Sequence, residues 1–339
     1  MISVGLDVGG TKILGVAMDE EGNILAERRR ATVEHGEDML VNLAELYRLL
    51  IEEASTAISP AGESPAEVAP PVGVGVPGLV DRTGTLVFAP NLRGANGTDV
   101  RAGLADELSN LGPVIRVDND ATCATAGESA FGAGRGRTDV LCVALGTGIG
   151  GGVVTGGKLL SGASNFAGEI GHIVVEAHGP PCGCGRRGCW ERYASGSGLG
   201  RIARDAALAG SASRIVSLAG GEPDTVRGEH VMEALVEGDA EAAVIVEEFA
   251  WWLALGLANL ANIFDPEVIV ISGGLVKAGE LLLEPVRRTF RLQLEGANVR
   301  PEIEILPGLL GDRGGAIGAA VIGLEAAGTA ILARPDGSA

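Results

Sequence analysis

The chain has 339 residues, 46% of them hydrophobic and only 3% aromatic, with a formal net charge of −18. That length suits two domains, or one split by a cleft, and the apolar share excludes disorder over most of it. The acidic balance excludes non-specific binding to nucleic acid or anionic membranes, whose phosphates would repel such a surface; it leaves room for a nucleotide, because a local nest of backbone N–H groups binds phosphate on an acidic protein.

Met1-Ile2-Ser3-Val4 runs straight into an apolar strand without a charged leader region, so a cytoplasmic protein is expected. Residues 2–7, 13–18 and 24–30 read as an antiparallel meander, with a tight turn at Gly9-Gly10-Thr11. A helix is expected over 35–57, and the Pro/Ala/Glu-rich stretch 58–71 reads as an exposed loop. Strands follow at 72–76, ending at Pro77-Gly78, and at 114–117, ending at Asp118-Asn119-Asp120, with a helix from 121 to 131. A second meander has strands at 139–145 and 151–155 around Gly146-Thr147-Gly148-Ile149-Gly150. Strand, Gly/Thr turn and strand thus recur near residues 10 and 147, which points to two similar halves around a cleft. A helix over 241–264 includes the longest uncharged apolar stretch, 249–264; this is shorter than a membrane span of roughly 18 residues and reads as a buried or interface helix. A strand at 268–271 ends at Ser272-Gly273-Gly274, helices are expected over 279–294 and 313–326, and 334–339 reads as a disordered tail. This mixture is α/β but not a pure βαβ Rossmann domain.

Two glycine turns are candidate phosphate loops. In Asp7-Val8-Gly9-Gly10-Thr11-Lys12 the glycines expose backbone N–H groups, Thr11 adds a hydroxyl, Lys12 adds a positive charge, and Asp7 suits Mg2+ held through water. The second, Gly146-Thr147-Gly148-Ile149-Gly150, loosely matches a dinucleotide fingerprint, but a strand follows it where that motif requires a helix. No Gly-Lys-Ser/Thr closes it as a Walker loop. Two phosphate-clamping hairpins fit better, and Gly273-Gly274 is a candidate adenosine wall. The bland alternative for each is an ordinary turn.

Asp118-Asn119-Asp120 lies where a strand ends and a helix begins, so one residue is expected to cap the helix while another does chemistry. Phosphoryl transfer to an alcohol needs positioning, Mg2+ and a carboxylate that accepts the hydroxyl proton, and Asp120 suits that last role. Glu169, His172 and Glu191 add polar groups of the kind that hold sugar hydroxyls. The spacing His172-x9-Cys182-x-Cys184-x4-Cys189 matches a closed four-coordinate structural zinc site, with His178 a competing imidazole. A His bound to zinc through one nitrogen presents the other as a fixed donor, so zinc would position both His172 and Glu191. Cys123 and Cys142, in apolar segments, are expected to pack as small hydrophobes.

Together, Asp7-x-Gly-Gly-Thr-Lys12, Asn119-Asp120-Ala121, Leu145-Gly-Thr-Gly-x-Gly-Gly-Gly152, Gly168-Glu-x-Gly-His172 and Cys182-Gly-Cys-Gly-x-x-Gly-Cys-Trp-Glu191 resemble the ROK (repressor, open reading frame, kinase) family over about residues 2–325. The first strand begins at residue 2, without room for the N-terminal helix-turn-helix of the family's repressors, so the resemblance implies the kinase branch, on the side of its zinc-containing glucokinases. It implies the two-lobed actin-like ATPase, or hexokinase-like, fold of the ribonuclease H-like class. One lobe would be residues 1–118 joined by helix 313–328, the other residues 119–312. It further implies ATP, Mg2+ and structural Zn2+ as cofactors, and a homodimer or homotetramer. Asp120 would be the base, and Gly78, Asn91, Asn119, Asp120, Glu169, His172 and Glu191 would contact glucose. The hairpins would take ATP through Asp7, Gly9, Gly10, Thr11, Lys12, Gly146, Thr147, Gly148, Gly150, Gly273 and Gly274. Arg93-Gly94-Ala95-Asn96-Gly97 departs from the pattern, since the family's Trp after Asn91 is absent. Alternatives are kinases for N-acetylmannosamine, N-acetylglucosamine, fructose or mannose, and a non-catalytic sugar sensor.

Overall fold

Short apolar runs closed by Gly or Asp turns fold as strands, and longer runs with a 3.6-residue repeat fold as helices. The computed structural model describes residues 1–33, 35–58, 69–90 and 92–332. Most of the loop expected over 58–71, the candidate Asn91 and the tail 334–339 lie outside the described residues. The chain begins with β1 (Ser3–Val8), β2 (Lys12–Met18), β3 (Ile24–Ala31), α1 (Gly36–Ile58), β4 (Val72–Val76), β5 (Leu79–Val80) and β6 (Leu86–Phe88). Then come α2 (Val100–Glu107), β7 (Ile115–Asn119), α3 (Asp120–Phe131), β8 (Val140–Leu145), β9 (Ile149–Thr155) and β10 (Lys158–Leu159). Beyond the metal-type loop stand α4 (Glu191–Ala194), α5 (Gly196–Leu208), α6 (Ser213–Leu218), α7 (Gly228–Val236) and α8 (Ala240–Phe264). The chain closes with β11 (Val268–Ser272), α9 (Glu280–Gln293), β12 (Glu304–Pro307) and α10 (Gly314–Ala326).

Two compact units divide the chain: Met1–Thr138 with Gly152–Gly168 and Leu310–Ala339, and Asp139–Gly151 with Glu169–Leu309. In the first, the sheet order is β3-β2-β1-β4-β7, with β1, β4 and β7 parallel and β1-β2-β3 an antiparallel meander. Both faces are covered: β1 turns Val4, Leu6 and Val8 to one side and Ser3, Gly5 and Asp7 to the other, while β2 is apolar on both from Ile13 to Met18. Val4, Leu6, Val8 and Ile13 pack with Met39, Leu43 and Tyr47 of α1, whereas Leu14, Val16 and Met18 pack with Cys123 of α3 and the small residues of α10. The small residues of α10 let it lie directly on the sheet backbone: a Cβ on Gly5 or Gly73 would collide with the carbonyls of Ala316 and Ala319.

The division departs from the boundary expected after Asp118. Helix α3 belongs to the first unit because it meets α10 at backbone distance, where a Cβ on Gly318 would collide with the carbonyl of Cys123. In the second unit β8, β11 and β12 run parallel; their sheet has the order β10-β9-β8-β11-β12, which repeats that of the first sheet, and the division falls within β9, so that β10 counts with the first unit. The paired Gly/Thr turns near residues 10 and 147 are therefore equivalent hairpins of a duplicated topology.

By length and composition α8 could cross a membrane, but 56% of its most apolar window is buried inside the protein, which marks it as a core helix. The sequence reading does not anticipate β5, β6, α2, β10, β12 or helices α4 to α7. Helix α5 begins Gly196-Ser-Gly-Leu-Gly200, a run that reads as a loop by propensity. Those glycines serve packing, since a Cβ on Gly198 would stand 2.6 Å from the Tyr193 carbonyl carbon and oxygen.

Candidate active site

In the first unit, the β1–β2 hairpin is closed by the Gly9 N–H donating to the Lys12 carbonyl at 2.9 Å, while Thr32 Oγ1 donates to the Gly9 carbonyl at 2.6 Å. Among the described residues, chain neighbours aside, no atom lies within 4 Å of where a Cβ of Gly10 would stand, so the turn keeps an open face. Lys12 Nζ is 3.3 Å from Asp312 Oδ2, and both side chains are more than half exposed. Such a pair is weak and can exchange for a phosphate. Asp7 lies on the α10 face of β1, where a Cβ on Gly315 would stand 2.6 Å from its carboxyl carbon. Burial, then the charge of Asp120, raise its pKa to about 7 against the opposing pull of Lys12.

Asn119 is the cap of α3, its Oδ1 accepting from the N–H groups of Ala121 at 2.9 Å and Thr122 at 3.1 Å. Its Nδ2 donates to the Gly78 carbonyl at 3.0 Å, which ties the end of β7 to the turn after β4. With the cap supplied by Asn119, Asp120 stands in the first turn, its Oδ1 accepting from the Ala121 N–H at 2.8 Å. Gly78 has φ +119°, and a Cβ there would collide with the Phe88 carbonyl, so no other residue fits this turn. In the segment that departs from the family pattern, Arg93–Ala95 forms a 3-10 turn, and Asn96 Oδ1 accepts from the Ala89 N–H at 2.7 Å.

Behind Asn119 lies a buried network that sequence reasoning misses. Asp118, 3% exposed, accepts from the Asn119 N–H at 2.9 Å, from Arg116 Nη2 at 3.0 Å and from Asn165 Nδ2 at 3.2 Å. Asn165 also donates to the Val80 carbonyl at 3.2 Å and accepts from Arg116 at 3.1 Å. Its backbone is left-handed, φ 69°, which asparagine tolerates better than most residues. An Asn in a run of small residues is a weak signal for this role.

The second unit holds the remaining candidates. The β8–β9 hairpin closes through the Gly146 N–H donating to the Gly148 carbonyl at 3.1 Å. Gly273, at φ +97°, lies against the Leu145 backbone, which brings the late glycine turn to the same hairpin. Gly146 and Thr147 are exposed, while Gly148 and Gly150 are half-buried. Glu191 aims its carboxylate at the turn, and its Oε2 accepts from the Ile149 N–H at 3.1 Å. A Cβ on Gly148 would collide with that oxygen.

His172, Cys182, Cys184 and Cys189 place their ligand atoms within 4.8 Å of one another; His178 is not in the group. Cys184 Sγ and Cys189 Sγ are 3.5 Å apart, and Cys182 Sγ is 3.7 Å from His172 Nδ1. A tetrahedron with Zn–S bonds of ~2.3 Å has edges of about 3.8 Å, so the donor set fits Zn2+. The charge pattern asks for a cation too. Burial, joined by the neighbouring thiols, pushes Cys189 up to about 12, whereas at Cys184 burial is outweighed by hydrogen bonds with the Arg186 backbone and side chain, which bring it down to about 6. All three sulfurs would be thiolates together only with a cation among them, which Zn2+ supplies when bound. With Nδ1 turned to the cluster, His172 Nε2 lies 3.8 Å from Glu169 Oε2. Burial raises the Glu169 pKa, His172 opposes the shift and Glu191 adds to it. Trp190, fully buried, donates from Nε1 to the Trp252 carbonyl at 2.8 Å and anchors the loop on α8.

A repeated 3-2-1-4-5 sheet, a glycine hairpin in each half and a carboxylate at a strand end define the actin-like ATPase class of fold. Within it, the chain belongs to the ROK family, whose family model matches residues 3–326. It is 37% identical over 329 residues to the glucokinase of Streptomyces coelicolor, covering 96% of this chain and 98% of that one. It is similar to the crystal structure of a ROK family glucokinase from Streptomyces griseus in complex with glucose and AMPPNP, with a TM-score of 0.78, 38% identity, and 96% and 100% of the two chains covered. The ROK hexokinase from Thermus thermophilus gives a TM-score of 0.77 at 32% identity, with 97% and 99% covered.

Proposed function

We propose that this chain is an ATP-dependent glucokinase that transfers the γ-phosphoryl group of Mg–ATP to O6 of glucose, giving glucose 6-phosphate. The observation that carries the reading is Asp120, exposed to chemistry because Asn119 takes over the capping of α3. Asp120 accepts the O6 proton as the phosphoryl bond forms, while Gly78, Asn91, Asn119, Glu169, His172 and Glu191 orient the sugar through their polar groups. Sequence alone places Asn91 in this set. The turns at Gly9-Gly10-Thr11-Lys12 and Gly146-Thr147-Gly148-Ile149-Gly150 take the phosphates with backbone N–H groups, and Gly273-Gly274 borders the adenosine.

Asp7 would hold Mg2+ through water. Burial and the neighbouring charge of Asp120 raise its pKa, and a divalent cation beside the two carboxylates would relieve that repulsion. Bound Mg2+ supplies charge neutralisation on the transferring phosphates. His172, Cys182, Cys184 and Cys189 would hold a structural Zn2+, leaving His172 Nε2 as a fixed donor for a sugar hydroxyl. The protein works in the cytoplasm as a homodimer or homotetramer; exposed Val244, Trp251 and Ile263 on α8 support self-association.

The test is a panel of hexoses with ATP, following ADP release, on the wild type and Asp120→Asn. Glucose is expected to be the best substrate, and Asp120→Asn to lose at least ~100-fold in kcat while still binding glucose. A faster rate with an N-acetyl hexosamine would move the substrate assignment, and a fully active Asp120→Asn would remove Asp120 as the base.

A further inference from the structure

The metal loop and the second phosphate hairpin are in direct contact throughout the turn. Glu191 stands two residues beyond Cys189, and its Oε1 is 3.7 Å from Cys182 Sγ. Its Oε2 accepts from the Ile149 N–H at 3.1 Å, where the absence of a Cβ on Gly148 makes room for it. On either side of this contact, the Gly196 N–H donates to the Gly146 carbonyl at 2.9 Å and the Ser197 N–H to the Thr147 carbonyl at 3.4 Å. A Cβ on Gly171, next to His172, would collide with the Ile149 carbonyl. The segment that carries the metal ligands therefore backs the hairpin, while among the described residues, chain neighbours aside, no atom lies within 4 Å of where a Cβ of Gly146 would stand. One side of the turn is held and the other is open.

From this we infer that the metal site and the nucleotide site are energetically linked, with Glu191 as the positioning residue between them. The four ligands fix the loop, the loop fixes the Glu191 carboxylate, and that carboxylate holds the Ile149 N–H and the turn in its phosphate-accepting shape. This rests on the nucleotide role proposed above for the 146–150 turn. It is separate from the contact between His172 and Glu169, which concerns the sugar. Linkage is reciprocal at equilibrium: if zinc tightens nucleotide binding, nucleotide must tighten zinc binding by the same factor.

The experiment uses the full zinc-loaded chain without sugar. Zinc affinity is measured by equilibrium competition with a chromogenic chelator, with and without saturating Mg–AMPPNP, and AMPPNP binding is measured in parallel by calorimetry. Zinc affinity is expected to rise by ~5-fold or more when AMPPNP is bound, the range of ordinary coupling between sites. In Glu191→Ala, which keeps all four ligands, nucleotide should no longer change the zinc affinity. AMPPNP binding with an unchanged zinc affinity in the wild type overturns the linkage alone. An undiminished rise in Glu191→Ala overturns Glu191 as the link. Failure of AMPPNP to bind the wild type overturns the nucleotide reading, and the linkage falls with it. Should Glu191→Ala not fold, the two wild-type affinities still decide the linkage.

Discussion

Replacing Asn165 with glycine tests the buried network behind the end of β7, next to Asp120. Glycine adopts the observed φ of 69° without strain, so Asn165→Gly removes the side chain and leaves the backbone free to stay as it is. The loss comprises one hydrogen bond to a carbonyl and two that involve the ionised groups Asp118 and Arg116, all between 3.1 and 3.2 Å long. A buried neutral bond contributes ~1 kcal/mol and a charged one ~1.5–3 kcal/mol, giving about 4 kcal/mol at the low end. Arg116, whose side chain is 37% exposed, recovers part of this from water, and Asp118 keeps two other donors. We expect a net loss of about 2–3 kcal/mol in urea unfolding at 25 °C. Asn165→Ala should lose about 0.5–1 kcal/mol more, because the left-handed backbone costs alanine ~1–2 kcal/mol and the glycine chain's extra unfolded entropy returns only part of the difference. The KM for glucose should rise in both variants, since Asp118 positions Asn119 and through it Gly78. Stability within about 0.5 kcal/mol of wild type, or an alanine variant more stable than the glycine one, would refute the reasoning.

Gly78→Ala should lose glucose binding, with kcat/KM down at least ~10-fold, because a Cβ collides with the Phe88 carbonyl at a φ reserved for glycine; calorimetry with glucose checks this, and wild-type affinity would contradict it. Asp7→Asn should gain stability over the wild type as pH rises from about 4 to about 7 in Mg2+-free buffer, with a constant gap above that. The sign follows from a folded pKa of about 7 against an ordinary 3.8: the folded wild type holds a proton that the unfolded chain has released, so raising the pH across that window destabilises the wild type and not the variant. Urea midpoints at several pH values measure the gap, and a gap independent of pH would show that Asp7 is not so shifted. Cys189→Ser should lower bound zinc well below one ion per chain by atomic absorption and weaken glucose binding; full zinc content would exclude Cys189 as a ligand.

Much of the site was legible in sequence because it is local. The turn at Gly9-Gly10, a cap somewhere in Asp118-Asn119-Asp120 and the Cys182-x-Cys184-x4-Cys189 spacing each depend on backbone chemistry within a dozen residues. The repeat of strand, turn and strand near residues 10 and 147 likewise foreshadowed two sheets with one strand order. Residues distant along the chain were harder to read. Asn165 meets Asp118 across 47 positions, and Glu191 meets Ile149 across 42, so neither pattern has a spacing to recognise. The glycines of 196–200 argue for a loop by propensity, and packing against neighbouring backbone overrides that preference.

The sequence by itself determined which groups could bind phosphate, metal and sugar, because side-chain chemistry and short-range turn geometry are written in adjacent residues. Only the tertiary structure decided that α3 belongs with α10, since that depends on two helices approaching at Gly318 and Cys123. It also decided that the Glu191 carboxylate bridges the metal loop to the β8–β9 turn, a contact created when separate segments pack and one glycine leaves room for an oxygen.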